Sequence, residues 1–321
     1  MKNLKKTQFS KKTFLKNLIL VTGTHTSGKS MISPIIASLN DVEMLRKIYY
    51  LDQIAMMNFF KAVSPKAAKF LGNHILDLSF YEQLIGRNMN FRYEDETSVT
   101  VSKNPNFYKK RLKIKRGPEV IKYHHKRKTY MLLDTHDGVW FNKFWYSLCI
   151  QNLKIINISR NPIDIVNSWV NADLGQAEKQ LLCQIPLIKE KKKLKPFYLY
   201  KNLKNKKLNK NEIIIEMVCT CVEEELRNYE KIKKNKNIIR IDFDNFAKYT
   251  NFYLKKITKF IGKQKTKYTA KILKRERLPR KIHQFERLKK LNKIKKKVKK
   301  KFVYKLLNLE KKYLDHLERG N

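Results

Sequence analysis

The stretch from Leu18 to Leu39 constrains the fold of this chain more than any other. An apolar run ends at Val21 and breaks into G-T-H-T-S-G-K-S at Gly23 to Ser30, and helix-forming residues follow. Glycines let a backbone turn sharply and direct its N–H groups inward, and the start of a helix adds positive charge to the same hollow. Because the letters satisfy G-x-x-x-x-G-K-[ST], the stretch predicts a strand, a phosphate-binding loop and a helix.

The chemistry of this predicted loop is that of an anion site. Lys29 would supply a positive charge and Ser30 a hydroxyl group, while the backbone N–H groups of Ser27 to Ser30 would point at the ligand. We therefore expect the loop to hold a phosphate or a chemically similar group.

Composition limits the partners and the location. The 321 residues include 72 Lys+Arg against 28 Asp+Glu, a net charge of +44, which attracts polyanions such as nucleic acid, anionic lipid or phosphorylated cofactors. The cysteines form no C-x-x-C pair, and no histidine cluster has metal-ligand spacing; the cysteines are Cys149, Cys183, Cys219 and Cys221. No segment has the roughly 18–20 apolar residues of a membrane span, so we expect a cytoplasmic protein that can contact the inner face of an anionic membrane peripherally.

The order of the remaining patterns predicts an α/β fold. Apolar runs at 130–136, 153–159 and 238–243 predict strands, and helical patterns lie between them. This alternation predicts a three-layer, P-loop NTPase-like parallel sheet with helices on both faces. The predicted organisation is a basic disordered arm (1–16), an α/β domain (17–265) and a basic helical tail (266–321). Insertions are expected at about 42–125, beginning with helix at 42–85, and at 172–211.

Polar residues follow two of the predicted strands. Thr135 and His136 come after one, and Arg160 begins the block R-N-P-I-D-I-V-N-S, which ends at Ser168, after the next. Because ligands of open α/β sheets bind beyond the carboxyl ends of the strands, we expect these residues to face the same crevice as the loop. Arg160 offers a planar fork for a phosphate and Ser168 a hydroxyl donor. The alternatives are an Arg160–Asp164 ion pair and a serine bonded to its own helix.

The combination of this loop with R-N-P-x-D-x-x-x-S resembles the sulfotransferase family that uses 3′-phosphoadenosine 5′-phosphosulfate (PAPS), in a divergent, prokaryotic-type form. The resemblance covers about Leu18 to Gly262, including the strand and turn from Ile238 to Phe246. It implies that Arg160 and Ser168 bind the 3′-phosphate of the donor. It also implies that the sulfuryl group moves to a hydroxyl acceptor, for which a carbohydrate or glycolipid is preferred, without a metal.

Within the same resemblance, the loop would hold the 5′-phosphosulfate and assist catalysis through Lys29, together with Thr26, Ser27, Gly28 and Ser30. His136 matches a histidine that acts as the base in many members, although Glu43 or Asp52 stay open because other branches use a glutamate instead. A base of this kind contributes roughly 10²–10⁴-fold to a rate.

The sequence departs from the family at several positions. Lys29 stands where the family usually has Thr, and Thr26 where it usually has Lys or Arg, while Asp134 replaces a lysine. A C-terminal Gly-x-x-Gly-x-Trp-Lys element is missing, and its charge could come from Arg275, Arg277 or Arg280.

Two other functions are compatible with the sequence. The loop and Asp134 could instead bind a nucleoside triphosphate with magnesium, as in a P-loop kinase or ATPase. The lysine-rich tail could make the chain a non-catalytic protein that docks on nucleic acid or membrane, although we expect no specific nucleic acid because aromatic residues are not interleaved with its lysines.

Overall fold

The computed structural model describes residues 12–179, 185–190, 193–201 and 208–318. Its centre is a five-stranded, fully parallel sheet of order β2-β3-β1-β4-β7. A separate antiparallel hairpin is formed by β5 and β6. The strands are β1 (Asn17–Thr22), β2 (Val42–Lys47), β3 (Tyr130–Asp134), β4 (Asn152–Ser159), β5 (Leu187–Glu190), β6 (Lys193–Pro196) and β7 (Ile238–Asp242).

Helices cover both faces of the sheet, so the predicted three-layer α/β architecture is confirmed. They are α1 (Lys29–Ala37), α2 (Tyr49–Phe59), α3 (Pro65–Leu84), α4 (Pro105–Lys110), α5 (Pro118–Lys126), α6 (Asn142–Ser147), α7 (Pro162–Asn171), α8 (Lys210–Ile232), α9 (Phe243–Lys248), α10 (Thr250–Ile261), α11 (Lys267–Arg275), α12 (Gln284–Lys295) and α13 (Lys300–Glu318).

Successive residues of the central strands alternate between two hydrophobic cores. In β1, Leu18 and Leu20 face one core with residues of α2, α3, α7 and α8, while Ile19 and Val21 face the other with residues of α1 and α10. All four side chains are fully buried. This period-two alternation, with apolar residues on both faces, is what a parallel sheet between two helical layers requires.

The predicted helix over 42–85 is wrong at its start, because residues 42–47 form β2, an edge strand of the sheet. Glu43 and Arg46 interrupt the apolar pattern there and hide the strand in the sequence. Glu43 is nevertheless buried, because Arg111 binds both of its carboxylate oxygens at 2.7 and 2.8 Å. The Arg111 guanidinium also lowers the pKa of the Glu43 carboxyl against the effect of burial.

Lys103 and Tyr108, which lie within the predicted first insertion, cover the outer edge of β2. Tyr108 accepts a hydrogen bond from the backbone N–H of Met44 at 2.9 Å, and Lys103 donates to the carbonyl groups of Leu39 and Val42 at 2.7 and 2.8 Å. An exposed edge strand presents unpaired backbone groups, so this cover protects the sheet from pairing with another chain.

The N-terminal arm is attached to the domain before residue 17. Leu15 is buried, and the backbone N–H groups of Phe14 and Leu15 donate to one carboxylate oxygen of Asp77 at 3.2 and 3.0 Å. The prediction of a disordered arm over 1–16 is therefore wrong for residues 14 and 15, while residues 1–11 lie outside the described part of the chain.

The basic tail packs on the domain. Phe302, Leu306, Leu309 and Tyr313 are buried, and α13 packs on α7 and α8. Lys305 and Lys312 pair with acidic residues of α8 at 2.6 and 2.9 Å. Leu291 and Ile294 of α12 are also buried, whereas Leu288 is 57% exposed. Most of the apolar side of the tail therefore contacts the domain, and exposed lysines remain on its outer face.

Candidate functional site

Two glycines fix the loop after β1 because neighbouring elements approach them closely. A Cβ on Gly23, which has φ 147°, would lie 2.1 Å from the carbonyl oxygen of Ile158 on β4. A Cβ on Gly28, which has φ 102°, would lie 2.1 Å from the Phe243 ring. Both positions therefore exclude a side chain for steric and conformational reasons. The loop is wedged between β4 and the start of α9.

Lys29 is enclosed by the loop that precedes it. Its ammonium group donates to the carbonyl oxygens of Gly23 and Thr24 at 3.0 and 3.1 Å, and the residue is 4% exposed. Ser30 is exposed at the first turn of α1. A hollow of about 120 Å³ lies in front of these residues; its lining is His25, Thr26, Gly28, Lys29, Ser30, Lys47, Asp134 and His136.

Arg160 lies directly after β4 and reaches the loop from the side. Its guanidinium donates to the carbonyl oxygen of Thr26 at 2.9 Å and lies over the Phe243 ring, 4.8 Å from the ring centre. Arg280 approaches the same ring at 5.8 Å. Burial lowers the pKa of Arg160, and Arg280 and Arg287 lower it further. The loop and Arg160, which come from neighbouring strands, are thus in direct contact.

The ion pair between Arg160 and Asp164, considered as the alternative to phosphate binding, is not found among the described residues, where Asp164 has other partners. Arg287 and Lys290 of α12 bind the Asp164 carboxylate at 2.8 and 2.6 Å. These cations lower the pKa of Asp164 although its burial would raise it. Because residues of the tail pair with Asp164, the Arg160 guanidinium is directed at the loop instead.

Ser168 differs from the other predicted donor-binding residues. Its hydroxyl donates to the carbonyl oxygen of Asp164 at 3.0 Å, one turn earlier in α7. Serines in helices commonly form this bond, which was the alternative considered for Ser168. In the present structure Ser168 is satisfied by its own helix, so contact with a ligand would require its hydroxyl to rotate.

Several polar atoms around the loop are buried without a hydrogen-bond partner among the described residues. They include Oγ1 of Thr26, Oγ of Ser27 and Nε of Arg160. An unsatisfied buried donor costs about 1–3 kcal/mol, so such a group commonly faces a ligand or water. Of these residues, Thr26 lines the hollow beside Lys29, where an anionic ligand would complete the hydrogen bonds of its hydroxyl.

Asp134 is an acidic residue among these donors and positively charged groups. Both of its carboxylate oxygens are buried without a hydrogen bond in the described part of the chain, and the Lys47 ammonium is 3.9 Å away. Burial raises the pKa of Asp134 to about 6, and the lysines act in the opposite direction. Asp134 ends β3, the strand beside β1, so its carboxyl group lies in the same hollow as Lys29.

His136, the predicted base, is hydrogen-bonded in a series of three side chains, Asp52, His136 and His25. Its Nδ1 lies 3.3 Å from Oδ2 of Asp52, which also accepts the backbone N–H of His136 at 3.2 Å. Its Nε2 lies 3.0 Å from Nδ1 of His25. Burial raises the pKa of Asp52 to about 7 and lowers the pKa of His25 to about 3. Burial also lowers the pKa of His136 well below its ordinary value.

The three candidates for the base are therefore not equivalent. Asp52, in the first turn of α2, contacts His136 directly, whereas Glu43 is bound by Arg111 at the edge of the sheet. His25 was not predicted as a functional residue, because it occupies one of the variable positions of the loop pattern. The signal available in the sequence was a titratable ring inside a phosphate loop.

A second cavity of about 190 Å³ adjoins the histidines. Its lining is His25, Tyr49, Asp52, Gln53, Met56, His136, Asp137, Phe141, Leu174, Ile185, Pro186, Phe197 and Tyr198. Most of these side chains are aliphatic or aromatic. Several come from the second insertion, whose residues 180–184, 191–192 and 202–207 lie outside the described chain. His25 and His136 also line the hollow at the loop, so the two histidines form a wall between the two spaces.

Among the described residues, no three His, Cys, Asp or Glu side chains lie close enough together to hold a metal ion. None of the described helices combines the length and the apolarity needed to cross a bilayer.

Comparison with known proteins identifies one family. The model of the sulfotransferase domain matches residues 17–315, which includes the basic tail. Solved structures with a similar course of the chain include the sulfotransferase domain from the curacin biosynthetic pathway, with 10% identity, coverage of 79% of this chain and 77% of that chain, and a TM-score of 0.43. Sulfotransferase STF9 from Mycobacterium avium has 12% identity, coverage of 81% and 67%, and a TM-score of 0.39.

Mouse sulfotransferase SULT7A1, solved in complex with PAP, has 15% identity to the chain, coverage of 81% and 63%, and a TM-score of 0.35. No curated protein sequence is detectably similar to the chain.

Proposed function

The chain belongs to the sulfotransferase family, and we propose that it transfers a sulfuryl group from PAPS to a hydroxyl acceptor bound in the cavity beside His25 and His136. The single observation that carries the assignment of the donor site is the contact between Arg160 and the carbonyl oxygen of Thr26 at 2.9 Å. A donor with phosphate on both sides of its ribose needs two neighbouring positive sites, and this contact joins the loop to Arg160.

On the loop side, Lys29, Ser30 and the backbone N–H groups of Gly28, Lys29 and Ser30 would hold the 5′-phosphosulfate, while the N–H of Ser27 donates to the carbonyl oxygen of Thr24 at 3.0 Å. These groups stabilise the negative charge that grows on the leaving oxygen during transfer. The unsatisfied Oγ1 of Thr26, a residue that lines the hollow, supports this assignment because an anion would complete its hydrogen bonds. Lys29 would have to exchange at least one of its carbonyl partners for the ligand.

On the other side of the loop, Arg160 would bind the 3′-phosphate, and Ser168 would assist after its hydroxyl rotates. Arg280 is the best placed of the three arginines considered for the missing C-terminal element, because it shares the Phe243 ring with Arg160. Arg275 is instead engaged with the carbonyl oxygen of Val101 at 2.7 Å.

The acceptor would lie in the apolar cavity, with its hydroxyl directed at the wall formed by His25 and His136. The sequence favoured a carbohydrate or glycolipid acceptor. Aliphatic and aromatic lining residues such as Met56, Phe141 and Phe197 favour an acceptor that carries an apolar group next to its hydroxyl. A glycolipid meets this condition, whereas an unsubstituted anionic glycan does not.

Transfer of ³⁵S-sulfate from PAPS, without metal, to a panel of acceptors tests this function. The panel contains 2-naphthol, a long-chain alcohol, a glycolipid and a free oligosaccharide. We expect labelled product with at least one acceptor that has an apolar part. Labelling of the oligosaccharide alone would contradict the proposed role of the cavity, and labelling of none would contradict the function.

One observation favours a second candidate function. The Asp134 carboxylate beside Lys29 and Ser30, which has no hydrogen bond in the described part of the chain, is the type of group that organises magnesium in P-loop kinases and ATPases. Thermal unfolding separates the two functions, because a ligand that binds only the folded state raises the melting temperature. PAP without metal should raise it more than ATP with magnesium; the reverse order would favour the nucleotide-dependent enzyme.

A cytoplasmic location and peripheral contact with an anionic membrane stay proposals. The exposed lysines of the tail support an electrostatic contact, which salt would weaken.

A further inference from the structure

The hydrogen bond between the two histidine rings limits which ring can act as a base. Nε2 of His136 and Nδ1 of His25 are 3.0 Å apart, so one nitrogen carries the proton and the other accepts it. The family resemblance makes His136 the base, but its Nδ1 faces Asp52 and its Nε2 is engaged with His25, so both of its ring nitrogens already have partners.

The direction of this hydrogen bond follows from Asp52. Oδ2 of Asp52 already accepts the backbone N–H of His136, so it acts as an acceptor for Nδ1–H of the same residue. A neutral imidazole carries one proton, so Nε2 of His136 has a lone pair and accepts the Nδ1–H of His25. Of the four ring nitrogens of the two histidines, Nε2 of His25 is then the one whose lone pair has no hydrogen-bond partner among the described residues.

The position of His25 is also fixed by contacts other than its hydrogen bond to His136. Its carbonyl oxygen accepts a hydrogen bond from Nε1 of Trp169 at 3.1 Å, and its ring packs edge-on against the same indole. Trp169 is fully buried in α7, so the loop, α7 and His136 hold the ring from three sides. The ring lines both the hollow at the loop and the apolar cavity.

On these grounds, and resting on the proposed sulfuryl transfer, we propose that His25 is the catalytic base and that His136 and Asp52 are positioning residues behind it. The acceptor oxygen forms its bond to sulfur while its proton moves to Nε2 of His25. The bond between sulfur and the 5′-phosphate oxygen breaks, and its electron pair stays on that oxygen. Asp52 and His136 set the tautomer of His25 and stabilise the imidazolium that forms.

Electrostatics are consistent with this role. The pKa of His25 is lowered first by burial and then by His136, Lys29 and Lys47, so the ring is neutral near neutral pH and can accept a proton. A bound anionic donor would offset the charges of Lys29 and Lys47. It would thereby raise the pKa of His25 towards the range in which a general base is effective.

The first test is the tautomer of the two rings, read by ¹⁵N NMR of the full chain with and without PAP. Loss of signals in His25→Asn and His136→Gln assigns the resonances. We expect both rings as Nδ1–H tautomers, with Nε2 of His25 unprotonated. An Nε2–H tautomer of His25 would overturn the proposal, and because this readout needs neither donor nor turnover, it is separate from failure of sulfuryl transfer.

The second test compares turnover of the two variants with an acceptor labelled by the wild type. Asn at 25 keeps a donor near the position of Nδ1 but removes Nε2, whereas Gln at 136 can still accept from His25. We expect His25→Asn to lower kcat by about 10²–10⁴-fold with an unchanged melting shift from PAP. His136→Gln should lose far less, about tenfold, and the exposed control His283→Asn should match the wild type. A loss in His136→Gln equal to or larger than that in His25→Asn would overturn the proposal.

Discussion

The proposed donor side and the proposed acceptor side of this site are built in different ways. The donor side is formed mainly by eight consecutive positions, Gly23 to Ser30, whose backbone is fixed by close contact with β4 and Phe243. The acceptor side combines the loop, α2, the end of β3 and the second insertion around a cavity. A local site leaves a readable pattern in the sequence, whereas a site assembled from distant segments does not. His25 belongs to both sides, which is why its role emerges only from the fold.

The largest expected effect lies on the donor side. Lys29→Met should reduce turnover roughly 10³-fold, about 4 kcal/mol, because it removes a buried positive charge from the leaving group. Steady-state rates with labelled PAPS measure the loss, and the exposed Lys69→Met serves as the control. An effect confined to the KM of the acceptor would contradict the separation of the two sides.

A smaller effect is expected where the acceptor side is held together. Tyr198 donates to Asp137 at 2.6 Å, and burial raises the pKa of Asp137 to about 7. Tyr198→Phe should lower the free energy of unfolding by about 1.5–3 kcal/mol at pH 8, where the carboxylate is charged and loses a hydrogen bond. Below pH 7 Asp137 is protonated in the folded state, so the cost should fall to about 1 kcal/mol.

Chemical denaturation of both proteins at pH 6 and pH 8 measures this difference, with the melting shift from PAP as an internal control for the donor side. A cost that is the same at both pH values would show that Asp137 does not ionise in this range. Loss of the PAP shift would show that the two sides are not separable.

The next effect concerns His25, where the sides meet. The unfolded chain protonates His25 near pH 6.5, while the folded chain does so only at about pH 3, so the wild type loses stability as the pH falls below 6.5. The His25→Asn variant has no titratable ring at this position, so it does not lose this stability at low pH. Between pH 6.5 and pH 5 the variant should therefore gain about 2 kcal/mol relative to the wild type. Urea denaturation at both pH values measures the change, and no relative gain would mean that the folded pKa of His25 is near its ordinary value.

Much of the fold could be predicted from the sequence. The four apolar strands and the order of the helices gave the three-layer α/β architecture, because parallel strands between helices need continuous apolar runs. Strand β2 was missed because Glu43 is buried only through Arg111, which lies 68 residues later. A pairing across that separation leaves no local periodicity.

The site shows the same division. The loop and Arg160 were recognised because each lies at a strand end within a short pattern, and the structure brings them into contact. The bond from His25 to His136 joins residues 111 positions apart, and Phe197 and Tyr198 lie in an insertion without a motif. The hydroxyl direction of Ser168 also depends on local bonding that the sequence left open.

The central claim is that Arg160 and the loop bind the two phosphorylated ends of one nucleotide. Its most direct test is the affinity of PAP, without metal, for Arg160→Lys, which keeps the charge but loses the planar fork. We predict that Arg160→Lys binds PAP about tenfold more weakly than the wild type. Its affinity for adenosine 5′-phosphate, which lacks the 3′-phosphate, should be unchanged. The exposed control Arg116→Lys should bind both nucleotides as the wild type does. Equal affinity of Arg160→Lys and the wild type for PAP would contradict the claim.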